Sequence, residues 1–138
     1  MRIDGLKEMK KLRLLNLSNN QITSLDNLNG DTALERLDIS NNRVCKLFPQ
    51  KDLTAVKYLN LSNNMISGSL SPLEPMASLE EIHLKGNPIK RSELNFKAAV
   101  RVFYRQVTSL KIVDGTKIEE IAKEQEKEEE VKTVPLTE

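Results

Sequence analysis

The chain has 138 residues, enough for one domain with a real hydrophobic core. Its 21 Lys and Arg against 20 Asp and Glu leave a net charge of +1, which excludes a bulk electrostatic pull toward nucleic acid or a membrane surface. The single cysteine, Cys45, excludes an internal disulfide, no apolar run reaches the roughly twenty residues of a membrane span, and "MRIDGLKEMKK" carries no signal-like apolar stretch, so an intracellular, reducing setting without secretion is expected.

Residues 1–11 come first, with Ile3, Leu6 and Met9, followed by Leu12, at threefold spacing and no strand-like segment before them. They read as a partial N-terminal coil, either a cap in itself or the remnant of a truncated repeat. The second is favoured, because an uncapped first coil would leave Leu15 and Leu17 poorly covered. From Leu12 the chain repeats itself: "LRLLNLSNNQI", "LERLDISNNRV", "VKYLNLSNNMI" and "LEEIHLKGNPI" begin at Leu12, Leu34, Val56 and Leu79, spacings of 22, 22 and 23. Each reads apolar-x-x-apolar-x-apolar-x-x-Asn-x-apolar, the period and pattern of a leucine-rich repeat. Residues 12–89 therefore hold four repeats.

In each copy a short strand points two aliphatic side chains inward: Leu15 and Leu17, Leu37 and Ile39, Leu59 and Leu61, Ile82 and Leu84. One coil cannot bury that face alone, so neighbours stack and share a core. The Asn at the ninth position (Asn20, Asn42, Asn64, Asn87) falls where the chain leaves the strand. Its amide offers donors and an acceptor to backbone groups that the bend leaves unpaired, so a buried ladder of four Asn side chains is expected. The Ser-Asn before it should lie at the rim. Between strands, apolar residues near every third position predict 3-10 turns or extended coil on the convex side, and "SPLEP" at Ser71–Pro75 opposes a long helix there.

After Asn87 the period changes. Phe96, Val100, Phe103 and Val107 fall on one helical face, and Lys97, Arg101 and Arg105 fall off it. Residues 90–116 read as a C-terminal cap: a helix closing the stack, then the strand-like "LKIVDG" with a turn at Asp114-Gly115. Residues 117–138 form a charged, Glu-rich tail, helical or disordered. The fold class is an α/β solenoid: a right-handed curved stack of short parallel strands with a capping helix.

The repeats resemble the 22-residue subclass typified by the leucine-rich regulatory subunit of protein phosphatase 1, and the cap through Val113–Gly115 is similar to that of several small intracellular relatives. These are the acidic leucine-rich nuclear phosphoproteins, the A-prime subunit of the spliceosomal U2 particle, mRNA export receptors and an axonemal dynein light chain. "NRV" at Asn42–Val44, "YLNLSNNMI" and "LSPLEPMASLE" look most like the acidic nuclear phosphoproteins. The resemblance implies a non-catalytic adaptor or regulator in the nucleus, the cytoplasm or both. An RNA-processing or export adaptor is the alternative it implies, with phosphatase regulation or dynein association ranking below.

Strand alternation places the residues between the buried aliphatics on the concave face. One column is Leu14, Arg36, Tyr58 and Glu81; the other is Asn16, Asp38, Asn60 and His83, continued by Lys111. These are the expected protein-binding positions, with Arg36, Asp38 and Tyr58 foremost, since Tyr and Arg are favoured interface anchors. Catalysis has little to work with: His83 is the only histidine, Cys45 sits on the outer coil as a small hydrophobe at the core margin, and the five glycines are scattered. No cofactor, metal, membrane or small-molecule substrate is expected. The basic residues Lys97, Arg101 and Arg105 on the cap make RNA contact a secondary expectation.

Overall fold

The computed structural model describes residues 3, 10–26, 28, 30 and 32–121. In chain order its strands are β1 (Leu14–Asn16), β2 (Ser24–Leu25), β3 (Arg36–Asp38), β4 (Lys46–Leu47), β5 (Tyr58–Asn60), β6 (Glu81–His83), β7 (Ile112–Val113) and β8 (Thr116–Lys117). Short 3-10 turns cover Ser71–Leu73 and Pro88–Lys90, and helix α1 spans Glu93–Gln106. The main sheet runs β1-β3-β5-β6-β7-β8, parallel until β8 turns back. Stacked parallel strands of this kind make a solenoid, closed near its C-terminal end by α1.

The repeat period sets the register. Leu15 pairs with Leu37, Leu37 with Leu59, and Leu59 with Ile82, so every strand turns the same position toward the core. Leu37, Ile39, Leu59, Leu61, Ile82 and Leu84 are buried, and Ile22, Leu25, Val44, Leu53, Ile66, Leu70, Leu73 and Met76 meet them from the other side of each coil. Burying one such side chain stabilises by about 1.5–3 kcal/mol. Leu15 and Leu17 of the first coil are only half-buried. On the convex side, β2 and β4 form a second, two-stranded parallel sheet, so the first two coils use a short ladder there and the third uses the 3-10 turn.

The "LSNN" letters separate into two jobs. The second Asn bridges coils. Asn64 Oδ1 accepts the Val44 N–H at 2.9 Å, and its Nδ2 donates to Ile39 O at 2.9 Å and Leu61 O at 3.0 Å. Asn42 does the same with Ile22 N–H, Leu17 O and Ile39 O, and Asn87 with Ile66 N–H, Leu61 O and Leu84 O. All three are buried. Among the described residues Asn20 departs from the expected ladder: it is exposed, and its Nδ2 donates to Leu17 O and Ser18 O of its own coil. The other three also reach the preceding coil, Asn42 at Leu17 and Ile22, Asn64 at Ile39 and Val44, and Asn87 at Leu61 and Ile66.

The first Asn of each pair is there for its backbone. Asn19, Asn41 and Asn63 have φ of 59°, 57° and 58°, the left-handed region that Asn tolerates better than most side chains. In the fourth coil Gly86 takes this position with φ 78°. Its lack of a Cβ is also used, since a Cβ there would collide with the Asn63 side-chain amide. Asn63 in turn donates to Asn41 Oδ1 at 3.0 Å, a short outer ladder at the rim.

At the cap, Ser92 accepts the Asn95 N–H and starts α1, which lays Phe96, Val100 and Phe103 on the end of the stack. Asp114 and Gly115, with φ of 49° and 81°, make the two-residue turn between β7 and β8, where Val113 pairs with Thr116. Positive φ at both turn positions is the geometry that Asp-Gly favours in tight hairpins. Residues 118–121 are helical and bury Ile118 and Ile121. No helix among the described residues is long and apolar enough to cross a membrane. The readings made for Leu6, Met9 and the tail from residue 122 lie outside the described residues.

Candidate protein-binding face

Three rows cross the exposed face of the sheet. The first stands at the strand starts, where backbone bonds link Glu35 N to Arg13 O, Lys57 N to Glu35 O, Glu80 N to Lys57 O and Lys111 N to Glu80 O. Its side chains alternate in sign: Arg13, Glu35, Lys57, Glu80, Lys111. Arg13 Nε lies 3.8 Å from Glu35, and Lys111 Nζ lies 3.1 Å from Glu80. Both pairs are solvated and contribute at most about 1 kcal/mol each.

The second row pairs Leu14 with Arg36, Arg36 with Tyr58, Tyr58 with Glu81, and Glu81 with Ile112. Leu14 is 66% exposed, unusual for leucine in a strand. The Arg36 guanidinium sits 3.6 Å from the centroid of the Tyr58 ring, a cation–π stack. Tyr58 also leans on His83, ring centroids 5.3 Å apart at 48°. His83 Nε2 is 2.6 Å from Glu81 Oε2. Arg36, Tyr58, Glu81 and His83 thus form one connected cluster over three strands, bordered by Leu14.

The third row is held differently. Asn16, Asp38 and Asn60 each turn an Oδ1 back to accept the N–H two residues on, from Ser18 (2.9 Å), Ser40 (2.9 Å) and Ser62 (3.0 Å). These turns let the chain leave the strand toward the ladder Asn. Part of the chemistry expected at the surface is therefore committed to the coil. His83 occupies the same position in the fourth coil and makes no such bond. Asp114 supplies it from the turn after β7: its Oδ1 accepts Leu84 N–H (2.8 Å) and Lys85 N–H (3.0 Å), and its Oδ2 accepts from Lys90 Nζ (2.8 Å). Lys111 does not continue this row. Ile112 pairs with Glu81 and Val113 with Ile82, which brings Asp114 beside His83 and leaves Lys111 in the first row. The cap lies outside the 22-residue period, so nothing in the repeat aligns it. Asp114 itself was legible only as a turn residue.

The basic residues of the cap do not form an exposed stripe. Arg101 is 6% exposed, with Nη1 3.4 Å from Ile121 O, because residues 118–121 fold over its side of α1. Lys97 pairs with Glu93 at 3.1 Å. Arg105 is exposed in the last turn of the helix. Cys45 is exposed as well, not at the core margin, its Sγ 3.6 Å from Thr23 O. Val44 takes the inward position beside it.

Comparison with known proteins agrees with this geometry. A family profile described as leucine-rich repeat matches residues 5–134. No curated protein sequence matches. Among solved structures, internalin C2 of Listeria monocytogenes is 35% identical over 74% of this chain, with a TM-score of 0.59. The chain spans 41% of that protein's length. The Drosophila melanogaster SNF/U2A′ complex matches at 25% identity over 86% of this chain and 69% of the other, with a TM-score of 0.67. A leucine-rich repeat protein of Leptospira interrogans matches at 25% identity over 73% of this chain and 25% of its own, with a TM-score of 0.57. The repeats, the ladder, the stacked parallel strands and a profile match over nearly the whole length agree: the chain belongs to the leucine-rich repeat family.

Proposed function

We propose that this chain is a non-catalytic scaffold that binds another protein on its concave strand face, through Leu14, Arg36, Tyr58 and His83. The observation that supports this most is the connected cluster in the second row, a stacked Arg–Tyr pair beside a leucine that is 66% exposed. Arg and Tyr are the residues most enriched where interfaces concentrate their energy. Leucine-rich repeat proteins typically act as binding scaffolds of this kind, and stacked repeats present an extended surface without needing a pocket.

The finer assignment has two forms. The segments "NRV", "YLNLSNNMI" and "LSPLEPMASLE" favour a nuclear adaptor or regulator of the acidic phosphoprotein type. The match to the SNF/U2A′ complex, covering 86% of this chain, favours an adaptor in RNA processing, held there by a protein contact. With Arg101 buried and Lys97 paired, the cap supplies less for RNA than the bare sequence implies.

Capture from cell lysate, with and without nuclease, tests the proposal against a variant carrying Arg36→Glu and Tyr58→Ala. Partners that survive nuclease and vanish with the variant are the expected result. Partners lost to nuclease and indifferent to the variant would move the function to RNA.

A further inference from the structure

The concave cluster also indicates what its partner offers. Glu35 and Glu80 each face a cation of this chain, at 3.8 and 3.1 Å, and Glu81 Oε2 lies 2.6 Å from His83 Nε2. Asp38 holds one oxygen on the Ser40 N–H. Arg36, in the middle of the face, makes no ion pair among the described residues; its contact is the Tyr58 ring. Stacking covers one face of the guanidinium plane and fixes its orientation, while the N–H groups at its edge remain available to the planar acceptor they match, a carboxylate. Leu14 lies directly opposite Arg36 in the register, so an aliphatic side chain next to that carboxylate would find an apolar seat.

Resting on the concave-face reading above, we infer that the partner presents an acidic peptide segment: an Asp or Glu that takes the edge of Arg36, adjacent to a large aliphatic residue that covers Leu14. The fixed guanidinium explains the choice of acid, and the exposed leucine explains why a bare run of acids is a poorer fit. A basic segment is disfavoured, because Glu35 and Glu80 already pair with Arg13 and Lys111, and Glu81 is engaged by His83.

Selection from a random displayed library of 12-residue peptides tests this, using the full chain as bait and two exposed-face variants, Arg36→Glu and Leu14→Ser. The expected result is enrichment of Asp or Glu beside Leu, Ile or Phe. Binding of the synthesised peptides should fall at least about tenfold with Arg36→Glu, fall with Leu14→Ser, and weaken as salt is raised. Enriched basic or uncharged peptides that still depend on Arg36 or Leu14 would overturn the acidic partner and leave the binding face standing. Peptides indifferent to both variants, or no enrichment over bare support, would overturn the face and this inference with it. Unchanged melting of the two variants separates lost binding from lost folding.

Discussion

On their buried side, β3, β5 and β6 carry Leu37, Leu59 and Ile82; on their exposed side, the same strands carry Arg36, Tyr58 and Glu81. The inner positions change by no more than a methyl group's placement, whereas the outer ones differ in charge, size and shape at every step. The difference follows from what each side must satisfy. Inner positions meet the same neighbours in every coil, so one solution repeats. Outer positions meet solvent, and the packing of the coils does not dictate them, although neighbours such as Arg36 and Tyr58 still touch across strands. Letters that recur with the period build the stack, and letters that break it are free for recognition. The third row marks the boundary, since Asn16, Asp38 and Asn60 sit on the outer side and still serve the coil.

The sharpest way to break this comparison is from inside. Leu59→Ala removes a fully buried side chain and should cost about 2–5 kcal/mol in denaturant unfolding. Next comes the ladder. Asn64→Ala strips partners from Val44 N–H, Ile39 O and Leu61 O and should cost about 1–3 kcal/mol. Asn20→Ala, at the equivalent but exposed position, should cost clearly less; equal losses at the two sites would show that burial is not what makes the ladder matter.

The fourth coil offers a conditional test. Asp114→Ala leaves Leu84 N–H and Lys85 N–H without their acceptor and should cost about 1–3 kcal/mol. In a His83→Asn background the coil can form its own turn at residue 83, as Asn60 does at Ser62, so the same substitution should cost less there. Additive losses in the double variant would refute the exchange of roles between His83 and Asp114. The smallest effect belongs to the exposed row: Arg36→Glu with Tyr58→Ala removes one solvated stack and should change stability by about 1 kcal/mol or less per site, measured by thermal melting.

Much of this architecture is legible in the letters because it repeats. Four copies of the apolar pattern and its Asn define the strands, the core positions and the ladder; Phe96, Val100 and Phe103 announce the cap helix, and Asp-Gly its turn. What stays illegible is what one position owes to a distant one. Arg101 looks solvated from its place on the helix, yet it is buried, with Nη1 3.4 Å from Ile121 O in the returning chain. The Asx turns of Asn16, Asp38 and Asn60 place chemistry-bearing groups in structural service, although the same column read as pure surface. The first Asn of "NN" needs a left-handed backbone, which the outer position alone does not announce until Gly86 is seen replacing it. For the face itself, the columns of Arg36 and Tyr58 follow from alternation, but the stack between them is a matter of side-chain placement.

The central claim is that the exposed row recognises a protein without supporting the fold. The most direct measurement pairs thermal melting of wild type and the Arg36→Glu, Tyr58→Ala variant with nuclease-treated capture by the same two proteins. The account predicts closely matching melting curves and a set of partners present with wild type and missing with the variant. Identical partners for both proteins would contradict it, and so would a variant that loses partners only because it melts early.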